Sequence, residues 1–164
     1  MTCLDLRDID WKKLIASLVV CQLAGLLGAI FTGPAIPAWY AALEKPSFVP
    51  PDWAFPVVWT ILFLLMGISL YLVWNKGWGR RDVRLAMGVF GLQLFLNFLW
   101  SVLFFGMRSP LLGLVGIVFL WLAIAATTWR FYRISITAGL LLLPYLAWVS
   151  FAALLNYYIW LLNP

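Results

Sequence analysis

Five apolar segments, each close to the length a helix needs to cross a bilayer, dominate this chain. A spanning helix takes about 20 predominantly apolar residues. The segments run from about Leu14 to Phe31, Phe55 to Trp74, Val83 to Phe105, Leu111 to Trp129, and Ile136 to Leu162. Ser109-Pro110 separates the third from the fourth, and Arg130 to Arg133 separates the fourth from the fifth. The predicted fold class is therefore all-α integral membrane: one five-helix domain covering residues 1–164. Composition agrees. The chain is 65% hydrophobic and 10% charged, whereas soluble domains are about 45–50% apolar and about 25% charged.

Basic residues orient the bundle, because Lys and Arg accumulate in loops on the inner side of a membrane. Arg7, Lys12, Lys13, Lys76, Arg80, Arg81, Arg84, Arg130 and Arg133 fall on one side, against Lys45 and Arg108 on the other. The N-terminus is thus expected inside, with the C-terminus and the first loop outside. Trp11, Trp74, Trp78 and Trp129 then sit at the inner boundary, where indoles favour the headgroup region. The basic stretch Lys76–Arg84 is accounted for by this topology and by attraction to anionic lipid, so no nucleic-acid partner is expected.

The linker between the first two segments is unusual. It runs Trp39-Tyr40, Leu43, Lys45-Pro46, Pro50-Pro51, Trp59. Three prolines within six residues fix φ near −65° and oppose a helix interior. A plain connector needs only a few polar residues, so an aromatic, proline-stiffened loop is expected to form a non-helical lid over a pocket.

Several chemistries are disfavoured. There is no histidine, which removes the commonest metal ligand, a His-ligated haem and the usual general base. Cys3 and Cys21 are too few and too far apart for a zinc site or a C-x-x-C redox centre, and no metal site is expected. Cys21 reads as a buried thiol inside an apolar run. Asp5, Asp8 and Asp10 beside Arg7 do not make a basic signal-peptide start, so the first apolar run is expected to remain in the mature protein. An odd number of spans and the lack of a visible internal repeat weigh against an inverted-repeat transporter.

Polar residues within hydrocarbon are costly and usually face the bundle interior. Gln93, Asn97, Trp100 and Ser101 share one face of the third helix. Tyr145, Trp148, Ala152 and Asn156 share a face of the fifth, and Trp59, Phe63, Gly67 and Tyr71 step by four down the second. At about 1.5 Å of rise per residue, Trp59, Phe63, Asn97, Trp100, Trp148 and Ala152 lie between about 6 and 20 Å beneath the outer ends of their helices. Three such stripes at overlapping depth fit either interhelical packing or an aromatic chamber for a large, flat, apolar ligand. Their overlap beneath the first loop favours the chamber. Small residues at Ala24, Gly25, Gly28 and Ala29, and again at Ala86 and Gly88 to Gly91, permit close helix approach, within the chain or in a homodimer.

These blocks resemble the translocator protein family, also called tryptophan-rich sensory proteins or peripheral-type benzodiazepine receptors. The resemblance begins at Gly25, Gly28, Phe31 and Thr32. It continues through Pro34, Pro37, Trp39-Tyr40, Leu43, Lys45-Pro46, Pro50-Pro51 and Trp59, then Asn97-x-x-Trp100-Ser101-x-x-Phe104-Phe105-Gly106, and closes with Pro144-Tyr145-x-x-Trp148-x-x-Phe151-Ala152-x-x-Leu155-Asn156. It implies a five-helix bundle, usually dimeric, whose chamber is closed by the first loop. It also implies protoporphyrin IX, haem and synthetic isoquinoline carboxamides as ligands, with no required cofactor. By position, the ligand contacts would be Tyr40, Pro50, Trp59, Phe63, Asn97, Trp100, Trp148 and Ala152, with Trp59 and Asn97 as the polar ones. The family's light-dependent porphyrin breakdown would point to Trp59 and Trp148 as the photochemically active, catalytic residues. The cholesterol motif of animal members needs a basic residue soon after a tyrosine. None follows Tyr157 and Tyr158, which favours a prokaryotic plasma membrane over a mitochondrial steroid role.

The expected function is that of a membrane sensor or regulator binding tetrapyrroles and similar flat apolar ligands, with lipid as its surroundings. The alternatives are a photochemical porphyrin-degrading enzyme, in which the ligand supplies the reactivity, and a small-molecule transporter. The last is disfavoured by the lack of charged midspan residues that ion coupling usually requires.

Overall fold

A computed structural model of the protein describes residues 9–164. Arg7, counted above among the inner basic residues, and Cys3, Asp5 and Asp8 lie outside the described residues. Among those described there is no strand. Lipid offers the backbone no hydrogen-bond partner, so each apolar segment closes its own ladder as a helix. The spans are Trp11–Tyr40, Ala54–Trp74, Arg81–Gly106, Pro110–Ile134 and Ile136–Leu162.

Helix α1 (Trp11–Ala35) opens on Asp10, whose side chain accepts from the Lys13 backbone N–H at 3.2 Å. The Lys13 ammonium stands 3.0 Å from the same carboxylate. Hydrogen bonding to Lys13, first from its side chain and then from its backbone, holds the Asp10 carboxyl below the usual carboxylate range. Helix α2 spans Ala54–Trp74, α3 spans Arg81–Ser101 and α4 spans Pro110–Ile134. The fifth span is interrupted. Short α5 (Ile136–Leu141) gives way at Leu142 to α6 (Leu143–Leu162), where Pro144 lacks the N–H that would continue the ladder.

The first span corrects the expectation for the linker. Helix continues past Pro34 and Pro37, each of which removes a donor, by widening into a π-turn over Ile36–Tyr40; the Ala41 N–H reaches back to Ile36. Trp39 and Tyr40 therefore finish a helix and do not begin an irregular loop. A second π-turn over Val102–Gly106 extends α3, with Met107 N–H bonded to the Val102 carbonyl at 2.7 Å. Such widened turns shift the side chains that follow onto a new face.

Helix α1 packs against α2 and α3, α3 against α4, and α4 against both α5 and α6, while α2 also meets α5. Large apolar side chains such as Leu26, Ile30, Phe95 and Phe119 point outward. In water these would be a liability; here they form the lipid-facing surface. This is an integral membrane protein.

Past Tyr40 the chain is fastened to the end of the last helix. Asn163 Nδ2 donates to the Glu44 carbonyl at 2.9 Å, and the Glu44 N–H donates to Asn163 Oδ1 at 3.0 Å. Phe48 packs edge-on to Phe151 and Tyr158, with centroids 6.2 and 5.5 Å away.

Candidate functional site

At the end of the bundle that carries the first loop and the C-terminus, α1, α2, α3 and α6 enclose a cavity of about 370 Å³. Its walls follow from helix periodicity. On α2, Trp59 and Phe63 are one turn apart and face inward, their ring centroids 5.7 Å apart. From α3 come Asn97, Trp100 and Ser101, and the π-turn beyond them brings in Phe104 and Phe105. Trp148, Ala152 and Asn156 complete the wall on α6. On the α1 side, Gly25 and Gly28 bring backbone to the wall beside Thr32, Ile36 and Tyr40. A Cβ at Gly25 would lie 2.5 Å from the Phe63 ring, and one at Gly28 would lie 3.0 Å from the Ser101 hydroxyl.

The aromatic rings form a continuous surface. Trp59 and Trp100 are 6.4 Å apart and tilted by 31°, and Trp100 stacks on Phe104 at 5.7 Å and 18°. Opposite them, Phe55 meets Trp148 at 6.0 Å. Such faces complement a flat ring system, which binds by offset stacking and apolar burial.

Beneath the chamber lies a buried polar relay. Asn97 Nδ2 donates to the Tyr145 hydroxyl at 2.9 Å, that hydroxyl donates to Gln93 Oε1 at 3.0 Å, and Gln93 Nε2 reaches Met66 Sδ at 3.8 Å. This relay fixes the Asn97 amide in place while using only one of its two N–H donors. Trp100 is oriented by its indole N–H, which donates to Asn156 Oδ1 at 3.4 Å; Asn156 in turn donates to the Pro110 carbonyl at 2.8 Å. The chamber side chains are thus held by neighbours on other helices, as a preformed site requires.

The sequence profile of the TspO/MBR family matches residues 17–161. The chain belongs to the TspO/MBR family. Among its relatives it is 50% identical over 145 residues to "Tryptophan-rich protein TspO" of Chlorobaculum tepidum, covering 88% of this chain and 92% of that protein. It is 47% identical over 152 residues to the protein of the same name from Archaeoglobus fulgidus, with 92% and 97% covered. It is also similar to "Tryptophan-rich sensory protein" of Cereibacter sphaeroides, at 34% identity over 151 residues covering 92% and 90%.

Of the positions that the family resemblance singled out, Tyr40, Trp59, Phe63, Asn97, Trp100, Trp148 and Ala152 all line the one chamber. Pro50 is not among its lining residues and stays in the loop. The three stripes are also shorter than periodicity alone indicated. Gly67 turns to α1, where an added Cβ would meet the Leu18 backbone at 2.9 Å. Tyr71 is buried outside the chamber, and Gln93 and Tyr145 form the relay beneath it. Sequence reasoning missed Phe55, Phe104 and Asp52 as lining residues. The π-turn that places Phe104 has no simple sequence signal, and Asp52 read as a solvated loop carboxylate. It also treated Gly25 and Gly28 as packing residues, whereas they line the chamber too.

Proposed function

We propose that this protein is a membrane sensor or regulator that binds tetrapyrroles, such as protoporphyrin IX or haem, and similar flat apolar ligands in the chamber. The observation that carries this reading is the convergence of Trp59, Trp100 and Trp148 around one cavity with a fixed Asn97 amide at its wall. Stacking on indole faces would supply most of the affinity, and Asn97 would set the ligand's orientation. The first loop would act as a lid, which its attachment to Asn163 supports. Family membership and the name of the Cereibacter relative support a sensory role. The bias of basic residues supports a topology with the first loop and C-terminus outside, and the membrane would be a prokaryotic plasma membrane. A homodimer would use α3, where Gly88 and Gly91 are exposed and an added Cβ would meet nothing within 4 Å.

The deciding test is tryptophan-fluorescence quenching by protoporphyrin IX, in detergent and in the dark. Saturable quenching by the wild type, weakened in Trp59→Phe/Asn97→Ala, is the expected result. Linear quenching in both proteins would mean that porphyrin only partitions into the micelle.

A second reading is favoured by the same three tryptophans. An excited ring bound between Trp59 and Trp148 would have electron donors at van der Waals distance, so the protein would promote photochemical breakdown of its ligand. Equal light-driven bleaching with wild type and Trp59→Phe/Trp148→Phe would eliminate it.

A further inference from the structure

Tyr145 and Gln93 stand behind the chamber wall. Each is 1% exposed and neither borders the cavity, whereas Asn97 does. Buried polar groups must find their partners inside the protein, and the donors and acceptors present here fix the direction of each bond. Gln93 commits its Nε2 to Met66 Sδ at 3.8 Å, so it turns its Oε1, which can only accept, to the Tyr145 hydroxyl at 3.0 Å. That hydroxyl has one proton. Having given it to Gln93, it can only accept from Asn97, whose Nδ2 donates to it at 2.9 Å. Asn97 keeps its Oδ1 and one N–H for the chamber. With the hydroxyl reversed or absent, the amide could turn over and exchange donor for acceptor.

Tyr145 also braces a second chamber residue. It stands on the first turn of α6, just past Pro144, and its ring meets Trp59 of α2 edge-on, at 6.2 Å and 68°. One side chain thus touches both Trp59 and Asn97 from outside the cavity. We propose that Tyr145 is the positioning residue of the chamber. Its hydroxyl, itself oriented by Gln93, sets which way the Asn97 amide faces, and its ring edge sets the tilt of the Trp59 indole. A tetrapyrrole would then meet a donor and an acceptor fixed before it arrives, and would dock in one orientation without the cost of ordering the amide. This inference rests on the tetrapyrrole reading of the chamber and adds to it the residues, remote from the ligand, that set its orientation.

The test is a set of double-mutant cycles read by saturable protoporphyrin IX quenching, in the dark, on the full chain in nanodiscs of zwitterionic lipid. Tyr145→Phe keeps the ring and removes the hydroxyl, and affinity should fall about three- to tenfold. Gln93→Leu leaves Tyr145 intact and alters no lining residue, yet affinity should fall about two- to fivefold, because the hydroxyl is then free to reverse. This variant exchanges a buried amide for an apolar side chain of similar size, so it carries the test even if Tyr145→Phe does not fold. In an Asn97→Ala background both losses should vanish, since no amide is left to orient. Tyr145→Leu removes the ring as well and should add a loss that persists in that background, through Trp59. A damaged fold would instead weaken binding by the same factor with and without Asn97. That result, or wild-type affinity in either Tyr145→Phe or Gln93→Leu, would overturn the relay's control of Asn97 while leaving a tetrapyrrole site standing. Tyr145→Leu no weaker than Tyr145→Phe would overturn its control of Trp59. Absence of saturable wild-type binding would overturn the tetrapyrrole reading and this inference together.

Discussion

The two ends of the bundle use glycine and aromatic residues in opposite ways. At the end away from the first loop, glycines let backbones touch. A Cβ at Gly139 would lie 2.6 Å from Tyr132 Cα, and one at Gly67 would lie 2.9 Å from Leu18 Cα. Rings there are stacked and sealed, as with Phe90 and Phe131 at 5.4 Å and 9°, both buried. Ser69 Oγ ties α2 to the Ala138 carbonyl at 2.7 Å. At the first-loop end, glycines face side chains instead: Gly25 meets the Phe63 ring, Gly106 the Phe31 ring and Gly113 the Phe104 ring. The rings line a space there and do not fill it. A side chain can rotate away from an intruding atom, whereas backbone cannot. One end therefore holds the helices together, and the other can admit a guest.

That contrast predicts mutations that separate stability from binding. The largest effect is expected for Phe131→Ala. Emptying its fully buried site should cost about 3–5 kcal/mol, seen as a large fall in the thermal midpoint in detergent, while ligand affinity at low temperature stays near wild type. Gly139→Ala should follow, at about 1–3 kcal/mol, because α4 and α5 must move apart. A wild-type midpoint for this variant would remove the distinction between the two ends.

Gly25→Ala tests the other end. The new methyl group would push the Phe63 ring into the chamber, so porphyrin affinity should drop about tenfold, roughly 1.4 kcal/mol, with a smaller change in the midpoint. Loss of fold with no separable effect on affinity would show that the chamber end is as tightly packed as its counterpart. Asn163→Ala removes both bonds to Glu44. At about 0.5–1.5 kcal/mol per net hydrogen bond, it should speed ligand dissociation severalfold and raise amide exchange at Glu44, with the far end unaffected.

The smallest effect belongs to the surface pair at the start of α1. Asp10→Asn keeps the cap and removes the charge. Because Lys13 lowers the Asp10 pKa, the pair's stabilisation is present above the unfolded carboxylate value and is lost as pH falls through the lowered one. Wild type and variant should differ slightly near neutral pH and converge in acid, in a titration of the thermal midpoint. A difference that grew on acidification would reverse the sign of this coupling.

Much of the molecule was legible because the bilayer leaves few choices. Span length located all five helices, although α1 outran its expected end at Phe31 and α4 its expected end at Trp129. Helical period placed Trp59 with Phe63, Asn97 with Trp100, and Trp148 with Ala152. The same period overreached at Gly67, Tyr71, Gln93 and Tyr145, since a helix face extends past the part of it that borders the cavity. Local rules also misjudged Trp39 and Tyr40, grouping them with the proline-stiffened loop although the first span runs on through a π-turn to include them.

By itself, then, the sequence determined that this chain crosses a membrane five times and which residues share a helix face. Those properties depend only on hydrocarbon thickness and on 3.6 residues per turn. Only the tertiary structure decided that three of those faces meet around one cavity, that Tyr145 joins Asn97 to Gln93, and that Gly25 yields room to Phe63. Each of these depends on how closely and at what rotation helices distant in sequence pack, and that is set by contacts no local pattern encodes.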